Sequence, residues 1–182
     1  MHHQQNQTVA TPADRTSSAE MTDTTNQQRF RRIIWLLPAA YVLHIVEEYV
    51  GGFPVWVTQV VGGSFNNVAF ALNNAVFMAI MLVLSTWTSR SMSRRAAFIL
   101  IAWASGNVFW DGLFHIVTTA VYDRYSPGEI TSSVLYVPIS LAVACFALRS
   151  RVLTLKAFLG AVAVGGALFA FVVWYGLFHF AI

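Results

Sequence analysis

The chain has 182 residues, of which 57% are hydrophobic and only 10% are charged. This composition excludes an ordinary soluble domain, and the net charge of +3 comes without the folded basic face that a nucleic-acid partner requires. The single cysteine, Cys145, excludes both an intrachain disulfide and a thiolate metal cluster.

The N-terminal segment differs sharply from the rest of the chain. Residues 1–28 are rich in Gln, Thr, Ser and Asn and contain almost no large apolar side chain. Such a segment cannot bury enough apolar surface to offset the entropy lost on ordering. We therefore predict a disordered cytoplasmic tail over residues 1–28 and a membrane domain over residues 29–182.

The apolar residues of this domain fall into five blocks. Each block is close to the roughly 20 residues that cross about 30 Å of hydrocarbon. The blocks cover residues 33–50, 65–87, 96–122, 129–148 and 156–180. They predict an all-α, multi-pass integral membrane bundle of about five transmembrane helices.

The basic residues predict the orientation of this bundle. Ten of the eleven Lys and Arg residues fall in the tail or in the connections on the same side, and only Arg124 falls on the opposite side. The ten are Arg15, Arg29, Arg31, Arg32, Arg90, Arg94, Arg95, Arg149, Arg151 and Lys156. Because basic residues stay on the cytoplasmic side, we predict the N-terminus inside and the C-terminus outside, in a plasma or inner membrane.

Two of the blocks carry polar residues that a bilayer penalises. The first block contains His44, Glu47 and Glu48, and the third contains Asn107, Asp111 and His115. An ionised side chain at mid-membrane costs at least about 2.5–3.5 kcal/mol, so such residues usually line a protein interior and serve a function. With the predicted orientation, all of them lie at mid-membrane or in the outer half of the bilayer, and Asn107, Asp111 and His115 share one helix face.

The connection between the first two blocks is itself apolar. Residues 51–63 contain two glycine pairs around Phe53, Pro54 and Trp56. Amphipathic aromatic residues favour the membrane interface, which predicts a re-entrant or surface-lying stretch over the polar cluster. It would serve as a lid, as a lateral entry for a lipid-like substrate, or as a plain interfacial anchor.

Three further residues are candidates for supporting roles. Asn74 would orient a ligand or link helices by hydrogen bonds. Ser126 and Glu129 fit a capping box, with Ser126 as N-cap and Glu129 at N3, which favours a structural role for Glu129. Tyr136 continues the Glu129 face inward, and Pro138 predicts a kink in the fourth helix.

The leading hypothesis is a metal-dependent membrane enzyme. His44, Glu47, Asp111 and His115 would be metal ligands, with Glu48 as general base or bridging ligand and Asn107 as an orienting group. Such nitrogen and oxygen donors suit Zn, Fe or Mn. The substrate would be an apolar or lipid-like small molecule drawn from the bilayer.

Other interpretations keep the same residues. Without a metal, a buried carboxyl would donate a proton and a histidine would accept one, as an isomerase or terpene cyclase requires, with nearby aromatic rings stabilising a carbocation. A non-enzymatic carrier or membrane subunit is a further class, although the apolar inner half argues against a transport path. A purely structural charge network is the simplest alternative.

The chain resembles the HXXEE-motif family of membrane proteins. The resemblance rests on His44-Ile-Val-Glu47-Glu48, and it extends through Asn107-x-x-x-Asp111-x-x-x-His115 and the stretch from Tyr125 to Thr131. It implies a shared polar site in a small polytopic protein and supplies no reaction. A fold-level analogy links this arrangement to membrane isomerases of the emopamil-binding type, which also place His and Glu within a helical bundle.

Overall fold

The computed structural model describes residues 12–177, which are helical throughout apart from short connections and contain no strand. The helices are α1 (Pro12–Ile33), α2 (Leu36–Gly51), α3 (Phe53–Trp56), α4 (Asn67–Ser91), α5 (Arg94–Ala104), α6 (Asp111–Tyr122), α7 (Glu129–Thr131), α8 (Val137–Arg149) and α9 (Leu155–Val172). π-Helical turns cover Val57–Val61, Ser105–Trp110, Ser132–Tyr136 and Val173–Leu177, so several helices continue into one another.

Within these residues, five helical segments are long and apolar enough to cross a membrane. They run over Met21–Gly51, Asn67–Ser91, Arg94–Tyr122, Glu129–Arg149 and Leu155–Leu177. The predicted all-helical architecture and the predicted number of membrane-length helices are confirmed.

The first of these helices begins earlier than the sequence predicts. The helix over Pro12–Ile33 includes residues 12–28 of the segment predicted as a disordered tail, while residues 1–11 lie outside the described range. The end of α1 packs on the bundle, where Phe30 and Ile34 are fully buried. Burial at this end gives the helix a tertiary support that composition alone does not reveal.

A break separates α1 from α2 at Ile34 and Trp35. Pro38 explains it, because proline has no N–H to donate to the carbonyl of Ile34 and its ring crowds that carbonyl. The turn instead uses the hydrogen bond from the N–H of Leu37 to the carbonyl of Ile34, at 3.2 Å. The break sets the direction of α2, which carries the polar residues.

The helix over Arg94–Tyr122 is central to the bundle, since α4 and α9 both pack along α5. The approach of α9 is close, because a Cβ on Gly165 would lie 1.9 Å from the Oγ of Ser105 and 2.4 Å from the carbonyl oxygen of Ala102. Only glycine permits this contact. It coincides with the π-helical turn over Ser105–Trp110, which rotates α6 relative to α5.

The helix over Glu129–Arg149 contains a second π-helical turn, Ser132–Tyr136, directly before Pro138. The predicted irregularity at Pro138 therefore takes the form of a π-helical turn. The wider turn accommodates the absence of a backbone N–H at the proline.

Candidate functional site

Four side chains from α2 and α6 converge at one point in the bundle. The Nε2 atom of His44 lies 3.6 Å from Glu48 Oε1 and 3.2 Å from Asp111 Oδ2. The Nε2 atom of His115 lies 3.4 Å and 3.8 Å from the same two oxygens. Each helix contributes one histidine and one carboxylate at i, i+4 spacing, so each helix brings its pair to one face and packing brings the two faces together.

Three of the four side chains in the cluster are deeply buried. His44, His115 and Glu48 are 1%, 0% and 6% exposed, respectively, whereas the side chain of Asp111 is 25% exposed. Asp111 is therefore the most exposed member of the cluster, and Glu48 is much more buried.

Both histidines are held through their other ring nitrogen. Nδ1 of His44 is 2.8 Å from the hydroxyl of Thr131, and Nδ1 of His115 is 2.9 Å from the hydroxyl of Ser126. The Thr131 hydroxyl donates its proton to the carbonyl of Gly128, at 3.2 Å, so its oxygen accepts from Nδ1–H of His44. For neutral His44, this tautomer leaves the lone pair of Nε2 directed at the cluster.

Neither Nε2 atom has a hydrogen bond of acceptable geometry, although both are completely buried. Unpaired polar atoms in a protein interior are costly and require an explanation. Two imidazole nitrogens and one carboxylate oxygen, from His44, His115 and Glu48, lie within 4.8 Å of one another. The arrangement has the donor types and the spacing of a cation site.

Gly128 closes the cluster from the loop side. Its φ of +110° is in the region that favours glycine, and a Cβ at this position would lie 2.7 Å from Cε1 of His44 and 2.8 Å from Cε1 of His115. The backbone of the loop therefore packs directly against both imidazole rings. Glycine is required here for its conformation and for the space it leaves.

Glu47 has a separate role from the one predicted for it. The structure does not bring its carboxylate to the two histidines. Oε1 accepts hydrogen bonds from the Tyr125 hydroxyl and from the N–H groups of Gly128 and Ile130, and Oε2 accepts from the N–H of Thr131 at 2.7 Å. These amides are the free donors at the start of the helix that begins with α7, so Glu47 caps that helix from α2.

The family model for proteins of unknown function with an HXXEE motif matches residues 35–143, which include all four residues of the cluster. The chain belongs to the HXXEE family. No curated protein and no solved structure matches the chain significantly. In this HXXEE protein, the motif histidine and the last glutamate enter the cluster, while the first glutamate binds the loop.

Aromatic rings surround the cluster of the HXXEE protein. Tyr136 is fully buried and stacks on His44 with ring centroids 4.3 Å apart, and its hydroxyl has no hydrogen-bond partner. Phe53, at the start of α3, lies 5.3 Å from the ring of His115. The segment predicted to lie over the polar residues thus folds as α3 and a π-helical turn, with Phe53, Trp56 and Val57 buried.

The cluster borders a cavity of about 300 Å³. Tyr41, His44, Glu48, Asn74, Asn107 and Asp111 line its polar end. The remaining wall is mostly aromatic and aliphatic, from Phe53 and Phe65, α4 and α9. A polar end and an apolar body are the usual features of a site for a small, largely apolar ligand.

The residues predicted for orienting or supporting roles differ in whether they reach the cavity or the cluster. Asn74 accepts a hydrogen bond from the Tyr41 hydroxyl at 2.8 Å, so it links α4 to α2 and also lines the cavity. Asn107 lies in the π-helical turn and donates to the carbonyl of Trp103 at 2.9 Å. Glu129 accepts from the hydroxyl of Ser133 at 3.2 Å and shows no contact with the cluster.

The predicted capping box is wrong. The residue at the N-cap position of α7 is Gly128, in left-handed conformation, and it has no side chain to make a cap hydrogen bond. The Ser126 hydroxyl instead lies against His115. Sequence reasoning also missed Thr131 and the loop role of Gly128. In the sequence, Gly128 and Thr131 are marked only by their position in the short stretch from Tyr125 to Thr131, which carries part of the family resemblance.

Proposed function

We propose that the protein is an integral membrane enzyme in which His44, Glu48, Asp111 and His115 hold a divalent metal ion, and that its substrate is an apolar or lipid-like molecule. Compared with the sequence-based hypothesis, Glu47 is no longer a ligand, and Glu48 takes the ligand role that was one of the two predicted for it. Zn, Fe and Mn are the metals that suit two imidazoles and two carboxylates.

The observation that carries this proposal is the convergence of two buried, unpaired Nε2 atoms on the same two carboxylate oxygens. The four nitrogen–oxygen separations run from 3.2 to 3.8 Å, and the ligand atoms of His44, Glu48 and His115 lie within 4.8 Å of one another. The hydroxyl partners at both Nδ1 atoms supply the outer-shell hydrogen bonds that orient metal-binding histidines.

The distribution of basic residues between the two ends of the bundle supports membrane embedding with the N-terminus inside. Arg94 donates to the hydroxyl of Thr154 at 3.1 Å, and Arg151 lies 3.9 Å from Asp23, so basic connections gather at one end. The cluster lies toward the opposite end, near the loop that precedes α7. The positive-inside rule then favours a site in the outer half of a plasma or inner membrane.

A bound divalent metal would supply Lewis acidity or lower the pKa of a bound water. The protein's own groups divide the remaining tasks. Both carboxylates line the polar end of the cavity. Glu48 is the more buried and suits a purely ligating role, whereas Asp111 is the more exposed and is placed to exchange a proton with a molecule bound there.

The test is elemental analysis of the detergent-purified full chain after incubation with Zn, Fe or Mn. We expect close to one metal per chain in the wild type and its loss in His44→Ala and His115→Ala. Glu129→Gln is the matched acidic control, because Glu129 contacts Ser133 and not the cluster. A folded wild type that takes up no metal would overturn the proposal.

A metal-free acid–base enzyme is the second candidate, and one observation favours it. Two imidazolium rings and two carboxylates would make the cluster internally neutral, with each carboxylate oxygen already near both rings. The aromatic wall of the cavity would then stabilise a cationic intermediate. Absence of metal together with binding of an apolar amine, which mimics such a cation, would select this candidate.

A further inference from the structure

The cavity beside the cluster lies between α4 and α9. These helices each pack along α5 but make few contacts with each other. Phe70, Asn73 and Phe77 of α4 face the cavity from one side, and Leu168 and Val172 of α9 face it from the other. The gap between the two helices is thus the body of the cavity.

This gap opens toward the outside of the bundle. Leu168 and Phe171 line the cavity and are nevertheless 44% and 57% exposed. The end of the gap near α3 is closed, because the N–H of Ser64 donates to the carbonyl of Leu177 at 2.7 Å and Phe53, Phe65 and Leu177 pack together there. In a membrane, the side opening faces lipid.

The charges along the cavity restrict what it can bind. None of the described residues that line it is Lys or Arg, while Glu48 and Asp111 lie at its polar end. With the divalent metal of the proposed function bound, the metal and these two carboxylates sum to zero charge. Neither an anionic nor a cationic headgroup would then find a net opposite charge at the polar end.

Size restricts the ligand further. At roughly 20–30 Å³ for each non-hydrogen atom, about 300 Å³ accommodates on the order of ten to fifteen atoms. This is enough for a branched chain or a small ring system and too little for a whole phospholipid.

We infer that an uncharged apolar alcohol enters this cavity from the bilayer between α4 and α9, with its hydroxyl group at Asp111 and its hydrocarbon body against the aromatic wall. The inference rests on the proposed function, because charge neutrality at the polar end depends on the metal. Its binding and its route are tested separately from metal content.

The experiment uses a diazirine-bearing isoprenoid alcohol of about ten carbons and the carboxylate and the amine of the same chain. Each probe is photolysed with the metal-loaded full chain in bilayer nanodiscs, and labelled peptides are mapped by mass spectrometry. Leu168→Trp fills the gap, and Leu159→Trp is the matched control, since Leu159 is also about half exposed on α9 but does not line the cavity.

We expect the alcohol to label peptides of α4 and α9 near Phe77 and Leu168 at least about tenfold more than the carboxylate or the amine. Leu168→Trp should lower this labelling about tenfold, while Leu159→Trp should leave it unchanged and both variants keep their metal. Equal labelling by the three probes, or full labelling of Leu168→Trp, would overturn the inference even if the metal is present. Selective alcohol labelling without metal would retain the cavity assignment and overturn the metal site.

Discussion

Glu47 and Glu48 are adjacent in the chain, yet their carboxylates bind on different sides of α2. Glu48 Oε1 lies 3.4 Å from Nε2 of His115, whereas Glu47 accepts hydrogen bonds from three backbone amides and one tyrosine hydroxyl of the segment from Tyr125 to Thr131. Successive residues on a helix point about 100° apart, so one helix supplies a group to the cluster and a group to the loop. The same segment provides the hydroxyls of Ser126 and Thr131, which hold the two histidines.

This division predicts different consequences for two identical substitutions. Glu48→Gln removes a cluster carboxylate, and we expect metal affinity to fall by more than the roughly 10–100-fold typical of outer-shell changes. Glu47→Gln should stay within that range, because it acts through the loop, and should make the bonds between residues 123 and 128 more sensitive to protease. Metal titration and limited proteolysis of both variants measure this. An equal loss of metal affinity in the two variants would contradict the division.

Gly128→Ala is expected to disturb both histidines. The added Cβ would approach Cε1 of His44 and of His115 within 2.8 Å, in addition to adopting an unfavourable positive φ. We expect a destabilisation of about 2–5 kcal/mol and loss of metal binding. The matched control is Gly62→Ala, where φ is +82° and a Cβ has open space. It should cost only the backbone term of about 1–2 kcal/mol and keep the metal. Thermal unfolding in detergent with metal analysis checks both variants, and retention of metal by Gly128→Ala would refute the assigned contact.

Thr131→Val tests the orientation of His44. The change keeps the side-chain shape and removes the hydroxyl that accepts from Nδ1–H. We expect zinc affinity to fall about 10–100-fold, with a small effect on folding. Thr118→Val is the control, because its hydroxyl bonds only to carbonyls of α6. Isothermal titration with zinc distinguishes them, and equal affinities in the two variants would show that the Thr131 contact has no part in metal binding.

The anchoring of Tyr125 predicts a pH dependence at high pH. Burial first, and then the hydrogen bond to Glu47 and its negative charge, raise the pKa of Tyr125 from 10.0 to about 12. Because the folded-state pKa is the higher one, this anchoring is complete below about pH 10 and is lost as the pH rises through about 12. A tyrosinate absorbance titration of wild type minus Tyr125→Phe should show ionisation near pH 12. Glu47→Gln should move it toward pH 10, and a wild-type transition already at pH 10 would contradict the contact.

Much of the architecture follows from local pattern. Four of the five apolar blocks match the membrane-length helices closely, because length and hydropathy are properties of contiguous residues; the first helix begins earlier than its block. The i, i+4 spacing of His44 with Glu48, and of Asp111 with His115, places each pair on one helix face whatever the helix packs against. These two pairs are the part of the site that sequence spacing predicted best.

The relative orientation of these two helix faces, on α2 and α6, depends on tertiary packing. The choice between Glu47 and Glu48 depends on the rotation of α2 relative to α6, which long-range contacts set, including Gly128 against the two imidazoles. The π-helical turn over Ser105–Trp110 shifts the helix phase, so Asn107 does not simply continue the stripe of Asp111 and His115. Periodicity describes one helix at a time, whereas the cluster, its hydroxyl partners and the cavity all depend on how separate helices and the loop before α7 meet.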